Sequence, residues 1–299
     1  MRKLDSDGNT VLVSQRISRR TFVKTAAGFA LAGLAGVTGY SFEMEPVSVR
    51  VEQSKVRFPG REGVPHGLRI VQLTDIHRSS LVHDSYIKKC TSAAVGLKPD
   101  IILLTGDYVT HGEGFDKGFA GLFEPLKAPL GTYAVFGNHD GGRWARLRGG
   151  LKTTRAISNA FHEVGIHTLV NETVKVPYKN GTFTIVGFGD LYARQFKPNE
   201  AYAGVDEDSF TIALSHNPDT VSRLVKHGYT FDLMFCGHTH GGQVNIPFIG
   251  PPVVPVNDRR FIAGLHKISR GYVYTSRGIG MVLGMRFNCP PEITLFEVI

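Results

Sequence analysis

The chain has 299 residues, 42% of them hydrophobic and 20% charged, with a formal net charge of +8. That balance excludes the disordered and collagen-like classes and allows one large α/β domain or two small ones. No basic stripe, aromatic-interleaved RNA motif or zinc-finger spacing marks a nucleic-acid binder. Half of the positive excess lies in residues 1–40, which carry six Lys/Arg against two Asp/Glu; residues 41–299 carry 28 against 24. A mild positive balance over the longer part suits an anionic substrate or an anionic envelope surface. Cys90, Cys236 and Cys289 are odd in number and form no CxxC, so they read as small buried hydrophobes.

The first feature along the chain is Ser18-Arg19-Arg20-Thr21-Phe22-Val23-Lys24, followed by an uncharged, glycine-interrupted run over residues 25–42. Paired arginines before a short, mildly apolar segment resemble a twin-arginine export signal, with Val23 where that pattern usually has Leu. The run is too weakly apolar for a firm membrane span, and no clean Ala-x-Ala site closes it. Cleavage and retention as an anchor both stay open. The resemblance implies the twin-arginine export machinery as a partner, with the protein in the periplasm or cell envelope. Residues 1–45 are therefore expected to be signal segment and linker, and 46–299 one domain.

Beyond the signal, residues 48–58 alternate Val with polar residues and predict a strand. Short apolar runs then predict strands at 68–73, 100–104, 132–136, 183–186, 211–214, 233–236, 272–275 and 293–298. Helices are predicted at 83–97, 115–127, 151–164 and 219–226. Strand–helix alternation, closed by strands at the C-terminal end, implies an α/β fold of two packed mixed β-sheets flanked by helices.

Polar motifs follow these strands closely: Asp75-Ile76-His77, Gly106-Asp107, Gly137-Asn138-His139-Asp140, Ser215-His216-Asn217 and Gly237-His238-Thr239-His240. Ligands of α/β folds bind outside the carboxyl ends of strands, where loops bring side chains together. Carboxylate, imidazole and amide donors without thiolates fit octahedral or five-coordinate ions such as Mn, Fe, Zn or Co. One His-x-His is weak evidence, since a lone histidine is more often a satisfied core or surface group. Five such elements in order, each at a strand end, point to a metal site.

Together these motifs resemble the signature of calcineurin-like metallophosphoesterases, from about Leu68 to the end of the chain. The stretches 237–244 and 286–292 further resemble a branch of exported or membrane-associated phosphodiesterases, some similar to UDP-2,3-diacylglucosamine hydrolases. The resemblance implies a four-layer αββα sandwich and two divalent ions, Mn first, with Fe, Zn or Co as alternatives. It implies that Asp75, His77 and His240 hold one ion, that Asn138, His216 and His238 hold the other, and that Asp107 bridges both. A metal-bridging hydroxide would then attack the phosphorus in line. His139 would face the phosphate without ligating, as the catalytic acid or charge stabiliser. Many relatives read Gly-Asp-x-x-Asp after the second strand, the last Asp orienting that histidine. Here Thr110 stands in its place, and Asp140 is a substitute to be tested.

Around the site, Arg78 is read either as a phosphate contact or as a loop arginine. Arg143, Arg146 and Arg148 around Trp144 can bind a second phosphate, or can form an ordinary basic helix start with one anchoring aromatic. The proline-rich stretch 247–255 can wall the pocket or be a surface loop. The function implied is hydrolysis of a phosphodiester or pyrophosphate in an envelope or lipid-linked nucleotide sugar such as UDP-2,3-diacylglucosamine, with peripheral membrane association. A phosphomonoesterase shares the metal site and differs only in the pocket. A non-catalytic scaffold conflicts with the complete ligand set and with His139.

Overall fold

Runs such as IILL and LMFC bury both faces of a strand, and they become interior strands of two sheets. The computed structural model describes residues 35–299 except 269, together with 2–4, 10–12, 24, 28 and 33. It separates into a unit Met1–Ser41 and a unit Phe42–Ile299. In the first, β1 (Arg2–Leu4) pairs antiparallel with β2 (Thr10–Leu12). The twin-arginine pattern at residues 18–23 lies outside the described residues. Among the described residues no helix is long and apolar enough to cross a membrane.

The second unit holds two mixed sheets of six strands each. One contains β3 (Arg50–Val56), β4 (Arg69–Leu73), β5 (Ile101–Leu104), β6 (Thr132–Ala134) and β7 (Ile166–Thr168), with the C-terminal strand β14 (Glu292–Val298), in the order β3-β14-β4-β5-β6-β7. The other contains β8 (Glu172–Tyr178), β9 (Gly181–Gly187), β10 (Phe210–Leu214), β11 (Leu233–Cys236), β12 (Gly264–Lys267) and β13 (Tyr272–Thr275), in the order β12-β13-β11-β10-β9-β8. The central strands β4-β5-β6 and β9-β10-β11-β13 run parallel, so their carboxyl ends collect along one edge.

Side-chain alternation divides the core into three apolar layers. Ile70, Ile101, Leu103, Phe183, Ile212 and Phe235 fill the space between the sheets. Val71, Ile102 and Leu104 face outward, onto α1 (Asp84–Gly96) through Ile87 and Cys90 and onto α3 (Arg155–Glu163) through Ile157 and Phe161. On the far side Val186, Ala213 and Met234 meet Val221 and Leu224 of α5 (Thr220–Lys226). Two short helices, α2 (Arg143–Arg146) and α4 (Pro198–Ala201), complete the set. This is the four-layer α/β sandwich. One buried polar group crosses between the sheets near the site: Gln72 Nε2 donates to Thr105 Oγ1 at 2.8 Å and to the Cys236 carbonyl at 2.9 Å.

The helix predicted at 115–127 does not form; only a 3-10 turn at Ala120–Leu122 appears there. Gly118 and Gly121 weaken a helix and Pro125 cannot donate within one. The predicted helix at 151–164 begins only at Arg155. Cys90, Cys236 and Cys289 are buried free thiols, as expected.

Candidate metal centre

The loops that leave the two sheets keep bonding past the strand ends. Asp75 N donates to the Gly106 carbonyl at 2.9 Å and His77 N to that of Asp107 at 3.0 Å, while Gly237 N donates to the His216 carbonyl at 2.9 Å. The loops turn sharply as they do so. Asp75, His77, Asp107, His238 and His240 all have positive φ, between 50° and 74°. Left-handed backbone is costly for such residues and persists where the surroundings over-determine it, as at functional sites. Glycine is required beside them: a Cβ on Gly137 would meet Asp107 Oδ1, and one on Gly237 would meet Thr74 Oγ1 and Asp75 Oδ2.

All eight residues singled out in the sequence lie at this edge and are buried. Asp75, His77 and His240 carry donor atoms within 4.8 Å of one another, as do Asp107, His216 and His238, and also His77, Asp107 and His139. Asp107 Oδ2 stands between the groups, 3.1 Å from His216 Nε2 and 3.5 Å from His77 Nε2. His240 Nε2 lies 3.0 Å from His77 Nε2 and 3.3 Å from Asp75 Oδ1, and His238 Nδ1 lies 3.1 Å from His216 Nε2. Asn138 sits between Gly137, which packs on Asp107, and His139, whose amide donates to Asp107 Oδ1 at 2.9 Å; the buried Asn138 Oδ1 has no hydrogen-bond partner.

The electrostatics suit cations. Burial, followed by the charges of neighbouring groups, holds His77 and His240 well below the ordinary imidazole pKa and lowers His238 to about 3. These rings are neutral, with lone pairs available to a metal. Burial raises Asp75 to about 6. Burial opposes the charge on Asp107, but His216, His139 and His77 hold it well below the usual carboxylate value. For His216 burial is likewise outweighed by Asp107, which lifts it to about 10. Its Nδ1 donates to the Thr105 carbonyl at 2.8 Å, so Nε2 is the nitrogen turned to the site. An orphaned amide oxygen, imidazole nitrogens at near-contact distance and a shared carboxylate fit two divalent ions without thiolate ligands.

His139 is held from behind by a backbone group, its Nδ1 lying 2.6 Å from the Thr110 carbonyl oxygen. Asp140 does not touch that ring. It accepts from the amides of Asp107 (2.8 Å), Tyr108 (2.7 Å) and Gly137 (2.8 Å), and so ties the Asp107 loop to the Asn138 loop. Trp144 lies against His139, ring centroids 4.2 Å apart and planes tilted by 52°, with the Arg148 guanidinium 3.9 Å over the indole. Arg143 and Arg146 are exposed. Arg78 does not face the centre: Asp84 at 2.6 Å, Asp116 at 2.8 Å and the Gly114 carbonyl at 3.0 Å hold its guanidinium.

Three further residues belong to the site's surroundings. Tyr192 sets its ring edge-on to His238 at 5.0 Å. Asp190, raised to about 6 by burial, accepts from Ala193 N at 2.7 Å. Both follow β9 in Gly187-Phe188-Gly189-Asp190, another Gly-Asp at a strand end, and that was the signal available. Arg286 is fully buried behind His240 and donates to the carbonyls of Arg277, Gly280 and Cys289. It opens the 286–292 stretch noted in the sequence, but nothing in that stretch indicated a buried guanidinium bonded to backbone carbonyls.

A model of calcineurin-like phosphoesterases matches residues 68–242. The chain is 36% identical over 284 residues to phosphodiesterase YaeI of Escherichia coli, covering 95% of this chain and 100% of that protein. It is 30% identical over 303 residues to the UDP-2,3-diacylglucosamine pyrophosphatase LpxG of Chlamydia trachomatis, covering 85% and 90%. To the uncharacterized metallophosphoesterase YkuE of Bacillus subtilis it is 29% identical over 303 residues, covering 95% and 98%.

Proposed function

The chain belongs to the calcineurin-like phosphoesterase family, and from that premise we propose that it is a two-metal phosphodiesterase or pyrophosphatase acting on a lipid-linked nucleotide sugar of the cell envelope. It is a hydrolase of phosphoesters. The observation that carries the two-metal reading is the placement of Asp107 Oδ2 between His216 and His77, with Asp75, His77 and His240 on one side and His216 and His238 on the other.

In this reading Asp75, His77 and His240 hold one ion, Asn138, His216 and His238 hold the second, and Asp107 serves both. Manganese is the first choice, with iron, zinc or cobalt compatible with the same donors. The bound ions supply Lewis acidity to the phosphate oxygens and activate water for attack. The Thr110 carbonyl accepts only, so it fixes the proton of His139 on Nδ1 and leaves Nε2 to face substrate. There His139, when it carries a second proton on Nε2, stabilises developing charge or protonates the leaving oxygen. Trp144 and its stacked Arg148 offer a flat, cationic face to the part of the substrate beyond the phosphate.

The substrate class is supported by the pyrophosphatase name of the Chlamydia relative. Export by the twin-arginine machinery is supported by Ser18-Arg19-Arg20-Thr21-Phe22-Val23-Lys24. The test is hydrolysis of bis(p-nitrophenyl) phosphate against p-nitrophenyl phosphate, with manganese added and with chelator. Metal-dependent preference for the diester supports the proposal. Preference for the monoester makes the protein a phosphomonoesterase, and no metal-dependent turnover of either makes it a scaffold. For the lipid part, kcat/KM is compared for acylated and deacylated UDP-glucosamine; equal values overturn recognition of the acyl chains.

A further inference from the structure

Beyond His240 the chain carries no charge until Asp258, and it runs through Ile246-Pro247-Phe248-Ile249-Gly250 and on to Val253. Pro251 and Val254 of this stretch pack against Gly242 of the metal loop, but its tip stands free. Its tip is a tight turn in which Ile249 N and Gly250 N both donate to the Ile246 carbonyl, at 3.1 and 2.8 Å. Phe248 takes a φ of 68° there and is 109% exposed, with Ile249 at 74% and Val253 at 78%. Large apolar side chains grouped in this way on a surface mark an interaction site.

The base of the loop is built. Asn245 N donates to the Phe287 carbonyl at 2.8 Å, the Arg259 guanidinium to the Pro251 carbonyl at 2.9 Å, and the Tyr192 hydroxyl to the Pro255 carbonyl at 3.3 Å. The same network reaches two more exposed apolar residues. Gln243 Oε1 accepts from Val282 N at 3.0 Å, next to Leu283, which is 66% exposed. Glu45 accepts from Asn288 N at 2.9 Å, next to Met44, which is 61% exposed. One hydrogen-bonded belt therefore carries Met44, Leu283 and the loop tip, and it is continuous with the loop of the metal-centre residues His238 and His240.

We propose that this belt is a membrane-contact surface: Phe248, Ile249 and Val253 enter the interface of an anionic bilayer, and Arg259 at their base meets lipid phosphates. Phe248 and Ile249 project from a tight turn, a shape suited to insertion into a bilayer interface more than to covering a flat partner. Apolar side chains beside exposed basic groups are what interfacial lipid binding uses. The net positive charge of residues 41–299 acts in the same direction. The purpose of the contact, holding the metal centre at the plane of a lipid-linked phosphoester, rests on the function proposed above; the contact itself rests on the loop.

The test is sedimentation of the full chain with vesicles of phosphatidylcholine, alone and mixed with phosphatidylglycerol. Partition onto the mixed vesicles is expected to weaken about tenfold or more in F248S/I249S. Hydrolysis of soluble bis(p-nitrophenyl) phosphate should stay unchanged, so failure of the surface and failure of the catalytic reading are distinguishable. The F248W variant adds a reporter to the single native Trp144, and brominated lipid is expected to quench its fluorescence beyond that of the parent. Unchanged partition in F248S/I249S would assign any binding to the N-terminal segment and overturn the proposal. Absence of added quenching overturns it too, as does loop-dependent self-association without lipid.

Discussion

The Nδ1 atom of His139 lies 2.6 Å from the carbonyl oxygen of Thr110, the residue that stands where the family resemblance leads one to expect a carboxylate. The departure from the family pattern thus leaves the histidine held by backbone instead of side chain. That carbonyl is itself fixed, because Thr110 Oγ1 donates to the His77 carbonyl at 3.2 Å and its amide to that of Arg78 at 3.4 Å. His139→Gln is expected to keep its metals while kcat falls by ~10²–10⁴, the range for a positioned acid–base group. Thr110→Ala keeps the carbonyl and should change kcat by less than about threefold. Metal analysis beside kcat checks both; loss of metal from His139→Gln would make His139 a ligand.

Asp107 should behave differently. Its carboxylate lies within 3.5 Å of both His77 and His216, so Asp107→Asn should lose most activity and most bound metal. The same pair predicts a pH dependence. In the metal-free protein Asp107 raises His216 to about 10, so the ring is protonated at neutral pH. A metal must displace that proton, and apparent metal affinity should rise by about tenfold per pH unit for one proton released. Calorimetry in buffers of different ionisation enthalpy measures the release; affinity independent of pH would contradict it.

Much of this was readable in advance because buried strands and metal loops leave local marks. IILL and LMFC, short apolar runs bounded by polar residues, suit interior strands, and a polar motif behind each names the site edge. The false helix at 115–127 has a physical origin. Phe119 and Phe123 are spaced by four, like a helix face, yet their tilted rings meet at 4.9 Å within a cluster with Tyr108 and Phe161, and a glycine-broken coil achieves that packing. The edge strands β7, β8 and β12 went unread because they are short or only partly buried and alternate weakly. Trp144 and the stretch 286–292 were picked out in the sequence, and a Gly-Asp preceded Tyr192, but the contacts these residues make with His139, His240 and His238 are tertiary and came only with the fold.

Trp144 is open to a direct test. Its ring lies against His139 and under Arg148, at 4.2 and 3.9 Å. Aromatic and cation–π contacts of this kind contribute about 0.5–1.5 kcal/mol, or roughly 3–10-fold. Trp144→Ala should therefore lower kcat/KM by about that factor, and more for a nucleotide-sugar substrate than for bis(p-nitrophenyl) phosphate. Trp144→Phe should restore most of the loss. An equal loss in both variants, with both substrates, would reduce the residue to packing.

Arg286 holds the segment behind Asp75. Its guanidinium donates to the carbonyls of Arg277 (2.8 Å), Gly278 (3.2 Å) and Cys289 (3.0 Å), while Ile279 N and Gly280 N donate to the carbonyls of Thr74 (3.1 Å) and Asp75 (2.7 Å). Arg286→Met strands several buried acceptors and should cost about 2–4 kcal/mol. Arg286→Lys keeps the charge but not the fork of donors, and should recover only part. Because the segment backs Asp75, the affinity for one ion should fall with stability. A lower Tm with both ions held as before would limit Arg286 to the fold.

Arg78 adjoins the metal motif in sequence, yet its guanidinium is engaged elsewhere, and that separates two roles by experiment. It bonds Asp84 through Nε at 2.6 Å and Nη2 at 2.9 Å, and it pairs with Asp116 at 2.8 Å. Its own side chain is 10% exposed, whereas Asp84 and Asp116 are 46% and 57% exposed, so solvent screening discounts the pair. Arg78→Ala should lower stability by about 1–2 kcal/mol, a Tm change of roughly 3–6 °C. A phosphate-binding arginine would instead raise KM, and KM for bis(p-nitrophenyl) phosphate is expected not to move. The sign of the pH dependence follows from the carboxylates. Hydrogen bonding to Arg78 holds Asp84 and Asp116 below their ordinary 3.8. The stabilisation is therefore present above that pH and is lost as pH falls through the lowered values. Thermal melts of wild type and Arg78→Ala should differ at neutral pH and converge as the pH drops below 3.8. A gap that stayed constant into acid would show that Arg78 acts through packing and the Gly114 carbonyl, with no contribution from the ion pairs.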